Sequence, residues 1–136
     1  MTKEIFVDTG AWLALADDDD GLHKAAMKIY PVILQRWQRL VTTNLVVAET
    51  YNLIYRRLGH KAAITFLETT QTTSRLLKIY ANATLEQSAT TILRQYADQD
   101  FSYVDAVSFA LMTQRNIETA FTFDHHFQVA GFTLAN

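Results

Sequence analysis

The local patterns of this chain predict an α/β domain with a mostly parallel central sheet. Three observations carry the prediction. Short β-branched and aromatic runs alternate with longer stretches of helical periodicity. Those runs are apolar throughout, as strands buried on both faces are, rather than alternating apolar with polar. Single acids close two of them, Asp8 after Ile5-Phe6-Val7 and Asp124 after Thr119 to Phe123, and the carboxyl ends of strands are where an open parallel sheet places ligands.

In chain order, Ile5 to Val7 reads as a strand, Thr9-Gly10 as a turn and Ala11 to Ala16 as a helix. The acidic run Asp17 to Asp20 with Gly21 predicts a solvated loop. Apolar side chains then recur at Leu22, Ala25, Ala26, Ile29, Tyr30, Ile33, Leu34 and Trp37, which is helical spacing. Pro31 interrupts this pattern and predicts a bend or two shorter helices, because proline lacks the amide hydrogen and crowds the preceding turn. Leu40 to Thr43 is the second expected strand, with Asn44 capping a helix that carries Glu49 and stops at Gly59. His60 to about Thr73 reads as helix and Leu76 to Ala81 as strand, with Thr84 and Gln87 as a capping box opening a helix to about Ala97. Ser102 to Asn116 is helical, Thr119 to Phe123 a strand and Phe132 to Leu134 an edge strand. With no repeat or low-complexity linker, one domain over residues 1–136 is expected.

Composition excludes several classes. A chain of 136 residues that is 49% hydrophobic suffices for one core. A net charge of -2 gives no global basic field for nucleic acid, so any such binding is local. Without cysteine there is no disulfide, thiolate zinc site or cysteine nucleophile. Neither a signal peptide nor a membrane-length apolar run is found, which predicts a soluble, cytoplasmic protein.

The acids carry the chemistry. Asp8, Glu49, Asp105 and Asp124 each border an apolar run, and an ionised group there is costly unless positive charge meets it. Local alternatives exist: Asp8 and Asp124 suit helix N-caps, and Ser102-Tyr103-Val104-Asp105 fits a capping pattern. Glu49 lies past the capping positions, so its alternative is a salt bridge. Taken together, four carboxylates around one point need cations or protons, since each like-charged pair at about 4 Å repels by roughly 4 kcal/mol at an effective dielectric near 20. Oxygen donors favour hard ions, magnesium or manganese, and such ions activate water against phosphodiesters. Asp17 to Asp20 fails the calcium-loop pattern, which would place Ala16 first and Met27 last. His125-His126 lacks a zinc signature, and structural or substrate-proximal roles are expected. Asp98 and Asp100 read as loop acids, the lysines and arginines as scattered helix-surface charges, and Trp12 and Trp37 as core.

Four segments, taken in order, resemble the PIN-domain nucleases and especially the VapC-like toxins of bacterial toxin-antitoxin systems. These are Phe6-Val7-Asp8-Thr9-Gly10-Ala11-Trp12, Thr43 to Thr50 with Glu49, Phe101 to Ala106 with Asp105, and Thr122-Phe123-Asp124-His125-His126-Phe127. The resemblance spans nearly the whole chain. It implies a three-layer α/β/α sandwich and an endoribonuclease dependent on one or two Mg2+ or Mn2+ ions. It also implies RNA as substrate, a small antitoxin as partner and frequent homodimerisation. By position, Asp8, Glu49, Asp105 and Asp124 carry over as the catalytic metal site, with Thr9 orienting a water or phosphate. Two rivals stand beside it. A phosphoryl-transfer domain would use Asp8 as nucleophile, although no second acid follows two residues on and no strand-terminal lysine stands out. A non-catalytic module of the same fold would leave the acids unused.

Overall fold

A computed structural model describes residues 3–135; Met1, Thr2 and Asn136, the ends of the expected 1–136 domain, lie outside them. Five strands form one sheet: β1 (Glu4–Val7), β2 (Arg39–Thr43), β3 (Leu76–Ile79), β4 (Thr119–Phe121) and β5 (Thr133–Leu134). Their spatial order is β3-β2-β1-β4-β5 and every pairing is parallel. Seven helices connect them: α1 (Thr9–Ala16), α2 (His23–Arg36), α3 (Asn44–Leu58), α4 (His60–Thr72), α5 (Ala83–Gln95), α6 (Tyr103–Gln114) and α7 (His126–Val129). Among the described residues no helix is long and apolar enough to cross a membrane.

The period-two geometry of a strand sends successive side chains to opposite faces, and β1 divides the core accordingly. Phe6 joins Val41 and Ala120 under α5, α6 and α7, where Phe109 and Phe127 pack edge to face. Ile5 and Val7 join Leu40 and Phe121 under α1 and α2. A third cluster, Leu13, Val47, Ile54, Ala63 and Phe66, fastens α1, α3 and α4 to one another. The expected α/β/α layering follows from these two buried faces.

Several local expectations are corrected. α1 begins at Thr9 rather than Ala11, so Thr9-Gly10 is its first turn and not a separate one. α2 runs unbroken through Pro31. Pro31 and Met27 are both exposed, so the Met27 carbonyl that loses its amide partner is left to water rather than buried. Thr43, not Asn44, caps α3, accepting the Val46 N–H at 3.1 Å. The Asn44 Oδ1 instead accepts the Ala81 N–H at 2.8 Å, tying the exit of β3 to α3. The Thr84–Gln87 box does not form; Asn82 caps α5 by accepting the Leu85 N–H at 2.9 Å. α6 stops at Gln114 rather than Asn116, where the backbone turns left-handed with φ 57°. β3 and β4 each end two residues early, because past Ile79 and Phe121 no neighbouring strand continues the ladder.

The acidic run is not a wholly solvated loop. Asp17 is buried, and Arg57 at the end of α3 reaches both Asp17 (3.6 Å) and Asp20 (3.0 Å). The run therefore pins the α1–α2 connection to α3.

Candidate active site

In an open parallel sheet the crevice opens where consecutive connections leave in opposite directions. Here that point lies between β1, whose successor β2 packs on one side, and β4 on the other. The backbone there is fixed by the Asp8 N–H donating to the Phe121 carbonyl at 3.1 Å, and by the Thr42 hydroxyl donating to the Val7 carbonyl at 3.0 Å. A cavity of about 430 Å³ sits at this edge, lined by Asp8, Thr9, Gly10, Glu49, Ser102, Asp105, Thr122, Phe123, Asp124 and His126. All four acids and Thr9 therefore reach one cavity, from four separate parts of the chain.

Asp8 is only 6% exposed. It occupies the N-cap position of α1 yet makes no side-chain capping bond; its Oδ2 accepts instead from the Thr122 hydroxyl at 3.1 Å. Burial lifts its carboxyl from 3.8 to about 7, and Asp105 and Asp124 push the same way, while the Thr9 N–H and the Thr122 hydroxyl oppose them. Asp105 does both things its sequence allowed. Its Oδ2 accepts the Ser102 N–H at 3.2 Å while its own N–H donates to the Ser102 Oγ at 3.0 Å, a complete capping box. It still lines the cavity, and burial, followed by Asp124, raises its pKa against the opposing Ser102 bonds and His126.

Asp124 stands three residues beyond the end of β4, not directly after it. A tight turn brings it back: its N–H donates to the Thr122 Oγ1 at 3.0 Å, and its Oδ1 accepts the His126 N–H at 2.9 Å, opening α7. Glu49, in the second turn of α3, is half-buried and has no ion pair among the described residues. The salt-bridge alternative for it is thus not realised.

Three supporting residues complete the site: Thr122, which sequence reasoning passed over, Ser102, which it read as the cap partner of Asp105, and His126, which it gave a structural or substrate-proximal role. Thr122 bonds both Asp8 and the Asp124 backbone, Ser102 sets Asp105, and His126 approaches two of the acids. A hydroxyl two residues before Asp124 was the one signal available for Thr122. Four arginines are engaged away from the cavity: Arg39 and Arg115 on Glu4, Arg57 on the acidic loop, and Arg75 on the Leu34, Trp37 and Gln38 carbonyls at the end of α2. Trp37 is core as expected, whereas Trp12 is only partly buried, with its Nε1 shielded and unpartnered.

The donor set suits a hard divalent cation. The ligand atoms on offer are carboxylate and hydroxyl oxygens, and the Thr9 Oγ1 is buried without any hydrogen-bond partner. A buried hydroxyl left so costs about 1–3 kcal/mol, and four acids with neither lysine nor arginine on the cavity wall lack a counter-charge. One hard ion coordinated by oxygens answers both deficits. The same wall speaks against a phospho-aspartyl intermediate on Asp8, which is buried, neutralised below about pH 7 and unassisted by a lysine.

Comparison with known proteins shows the family. The profile of the PIN domain matches residues 5–132. The chain is 36% identical over 132 residues to the 23S rRNA-specific endonuclease VapC20 of Mycobacterium tuberculosis, covering 94% of this chain and 95% of that one. The crystal structure of VapC20, described as a sarcin-ricin loop cleaving toxin, superposes with a TM-score of 0.87 at 33% identity, over 95% of this chain and 96% of that one. VapBC2 of Rickettsia felis bound to promoter DNA (TM-score 0.70, 14% identity, 96% of each chain) shares the fold. So does FitAcB of Neisseria gonorrhoeae (TM-score 0.65, 15% identity, 97% and 96% covered).

Proposed function

We propose, from the premise that this chain belongs to the PIN-domain family, that it is a divalent-metal-dependent endoribonuclease acting as the toxin of a toxin-antitoxin pair. The observation that carries the reading is the convergence of Asp8, Glu49, Asp105 and Asp124, with the unpartnered Thr9 hydroxyl, on one cavity at the switch point of the sheet. In this reading the four acids hold one or two Mg2+ or Mn2+ ions, and Thr9 orients a water or a phosphate oxygen. A bound ion supplies charge neutralisation and Lewis-acid polarisation for hydrolysis of the phosphodiester. The chain's own part is positioning. Thr122 holds the Asp8 carboxylate, Ser102 holds that of Asp105, and the turn at Thr122 to His126 aims Asp124.

The substrate we assign is ribosomal RNA, on the similarity to the 23S rRNA-specific relative over 94% of the chain. A phosphate can approach four carboxylates only when their charge is neutralised, so RNA binding and ion binding are linked. The partner is a small antitoxin, and the toxin works as a single-domain cytoplasmic homodimer. Light scattering tests the dimer, and coexpression with the product of a neighbouring small reading frame tests the antitoxin.

The decisive experiment is incubation of ribosomes or 23S rRNA with wild type and Asp8→Asn, with Mg2+ or with EDTA, followed by primer extension. A discrete cut made only by wild type with Mg2+ is expected. A metal-replete wild type inert toward ribosomal RNA would favour the non-catalytic module, and a cut made equally by Asp8→Asn would remove Asp8 from the site.

A further inference from the structure

The imidazole of His126 lies between two of the acids without bonding either. Its Nδ1 is 3.4 Å from the Asp124 Oδ1 and 3.6 Å from the Asp105 Oδ2, and it is shielded from solvent with no hydrogen-bond partner. An orphaned buried donor is costly, so other contacts must hold the ring. One is edge-on packing against Phe101, with centroids 5.3 Å apart and planes at 72°. The other is the backbone, whose N–H at this residue already donates to the Asp124 Oδ1 at 2.9 Å.

The two carboxylates come from different elements, Asp105 from the first turn of α6 and Asp124 from the turn before α7. As like charges they repel, and nothing covalent fixes their spacing. A ring N–H between them is a donor that both can accept from once the gap closes by a few tenths of an ångström, into the range of N–H···O bonds.

We propose that His126 is a positioning residue whose Nδ1–H holds the Asp105 and Asp124 carboxylates at the spacing a divalent ion requires, and so sets the affinity of the acidic site. The inference rests on the metal-dependent reading above. A neutral imidazole suffices for it; no change of charge is involved. The competing role is direct ligation, since Asp124, His125 and His126 present ligand atoms within 4.8 Å of one another. Against that, the His125 side chain is 76% exposed, and an oxygen-rich site selects hard ions for which imidazole is a poor ligand.

The test is Mn2+ binding to the full chain without RNA, by calorimetry and electron paramagnetic resonance, for wild type, His126→Asn and His126→Leu. Asparagine places an amide N–H where Nδ1 was; leucine keeps volume against Phe101 but donates nothing. Leucine is expected to weaken Mn2+ binding about 10–100-fold, the range seen when groups that support metal ligands are removed, and asparagine to retain most of the affinity. At saturating Mn2+ the leucine variant should recover kcat, because its defect is in loading. Urea unfolding in EDTA reports that each variant is folded; should leucine not fold, His126→Gln, whose amide reaches the Nε2 position, replaces it.

Unchanged Mn2+ affinity in the leucine variant, or equal losses in asparagine and leucine, would overturn the proposal. So would nitrogen couplings in the wild-type Mn2+ spin-echo spectrum that vanish with leucine, which would make His126 a direct ligand. A wild type that binds no Mn2+ would overturn the metal-dependent reading itself, and this inference with it.

Discussion

Replacing Asp8 by asparagine should make the metal-free protein more stable at alkaline pH while destroying its activity. The buried Asp8 carboxyl titrates near 7 instead of 3.8. At about 1.4 kcal/mol per pH unit, that difference corresponds to about 4 kcal/mol of unfavourable free energy once the group is ionised in the fold. The sign follows from proton binding. Below pH 3.8 the group is protonated in both folded and unfolded chains and costs nothing. Between 3.8 and about 7 the unfolded chain has released its proton and the folded chain has not, so stability falls as pH rises. Above about 7 the full penalty is present. Asparagine cannot ionise, and its oxygen can still accept from the Thr122 hydroxyl, which in wild type stands 3.1 Å from Oδ2. Urea unfolding in EDTA should therefore show the variant ahead by up to about 4 kcal/mol at pH 8, with the advantage shrinking by about 1.4 kcal/mol per pH unit below 7. Saturating Mg2+ should stabilise wild type, which binds it only when folded, and leave the variant nearly unmoved. An advantage of equal size at pH 4.5 and pH 8, or a variant weaker than wild type at pH 8, would refute the electrostatic account.

Three further outcomes follow from the same geometry. At fixed, subsaturating Mg2+ the cleavage rate should climb with pH up to about 7 and level off above it, because the proton on Asp8 competes with the ion; a rate constant from pH 5.5 to 8 would contradict this. Thr9→Val removes a buried, unpartnered hydroxyl and should raise metal-free stability by about 1 kcal/mol while lowering cleavage; calorimetric melting in EDTA and the primer-extension assay measure the two effects separately. Glu4→Gln should instead lower stability alone. Glu4 accepts from Arg115 at 2.9 and 3.1 Å and lies 3.4 Å from Arg39, at the amino ends of the strands, away from the acids. Its loss should cost about 2 kcal/mol in urea unfolding with the cleavage rate of the folded protein intact.

The order of elements was legible because the central strands β1 and β4 are buried runs and helices α1 to α6 are each long enough to show their period. The termini were less so. Thr43, Asn44, Asn82 and Thr84 are all competent caps, and the choice among them fell to where β2 and β3 ran out of ladder, which no local window records. Asp17 to Asp20 looked solvated because its partner Arg57 lies 37 residues beyond Asp20. Asp105 offered a cap and a site, and it serves as both, because the first turn of α6 points its carboxylate back along the helix and into the crevice together.

By itself, the sequence determined which side chains carry charge, which runs must be buried, and hence an α/β domain with four acids at the borders of its apolar segments. Only the tertiary structure decided that those acids meet. Glu49 and Asp105 arrive on helices, Asp8 at a strand end and Asp124 by a turn held through Thr122. Their common cavity depends on strand order: β1 and β4 are neighbours in the sheet though more than a hundred residues apart in the chain. The same adjacency withdraws Asp8 from water and surrounds it with like charge. The abnormal acidity of Asp8 and the unbonded position of the His126 ring between Asp105 and Asp124 are therefore properties of the fold, since desolvation and repulsion depend on distances that only the folded chain sets.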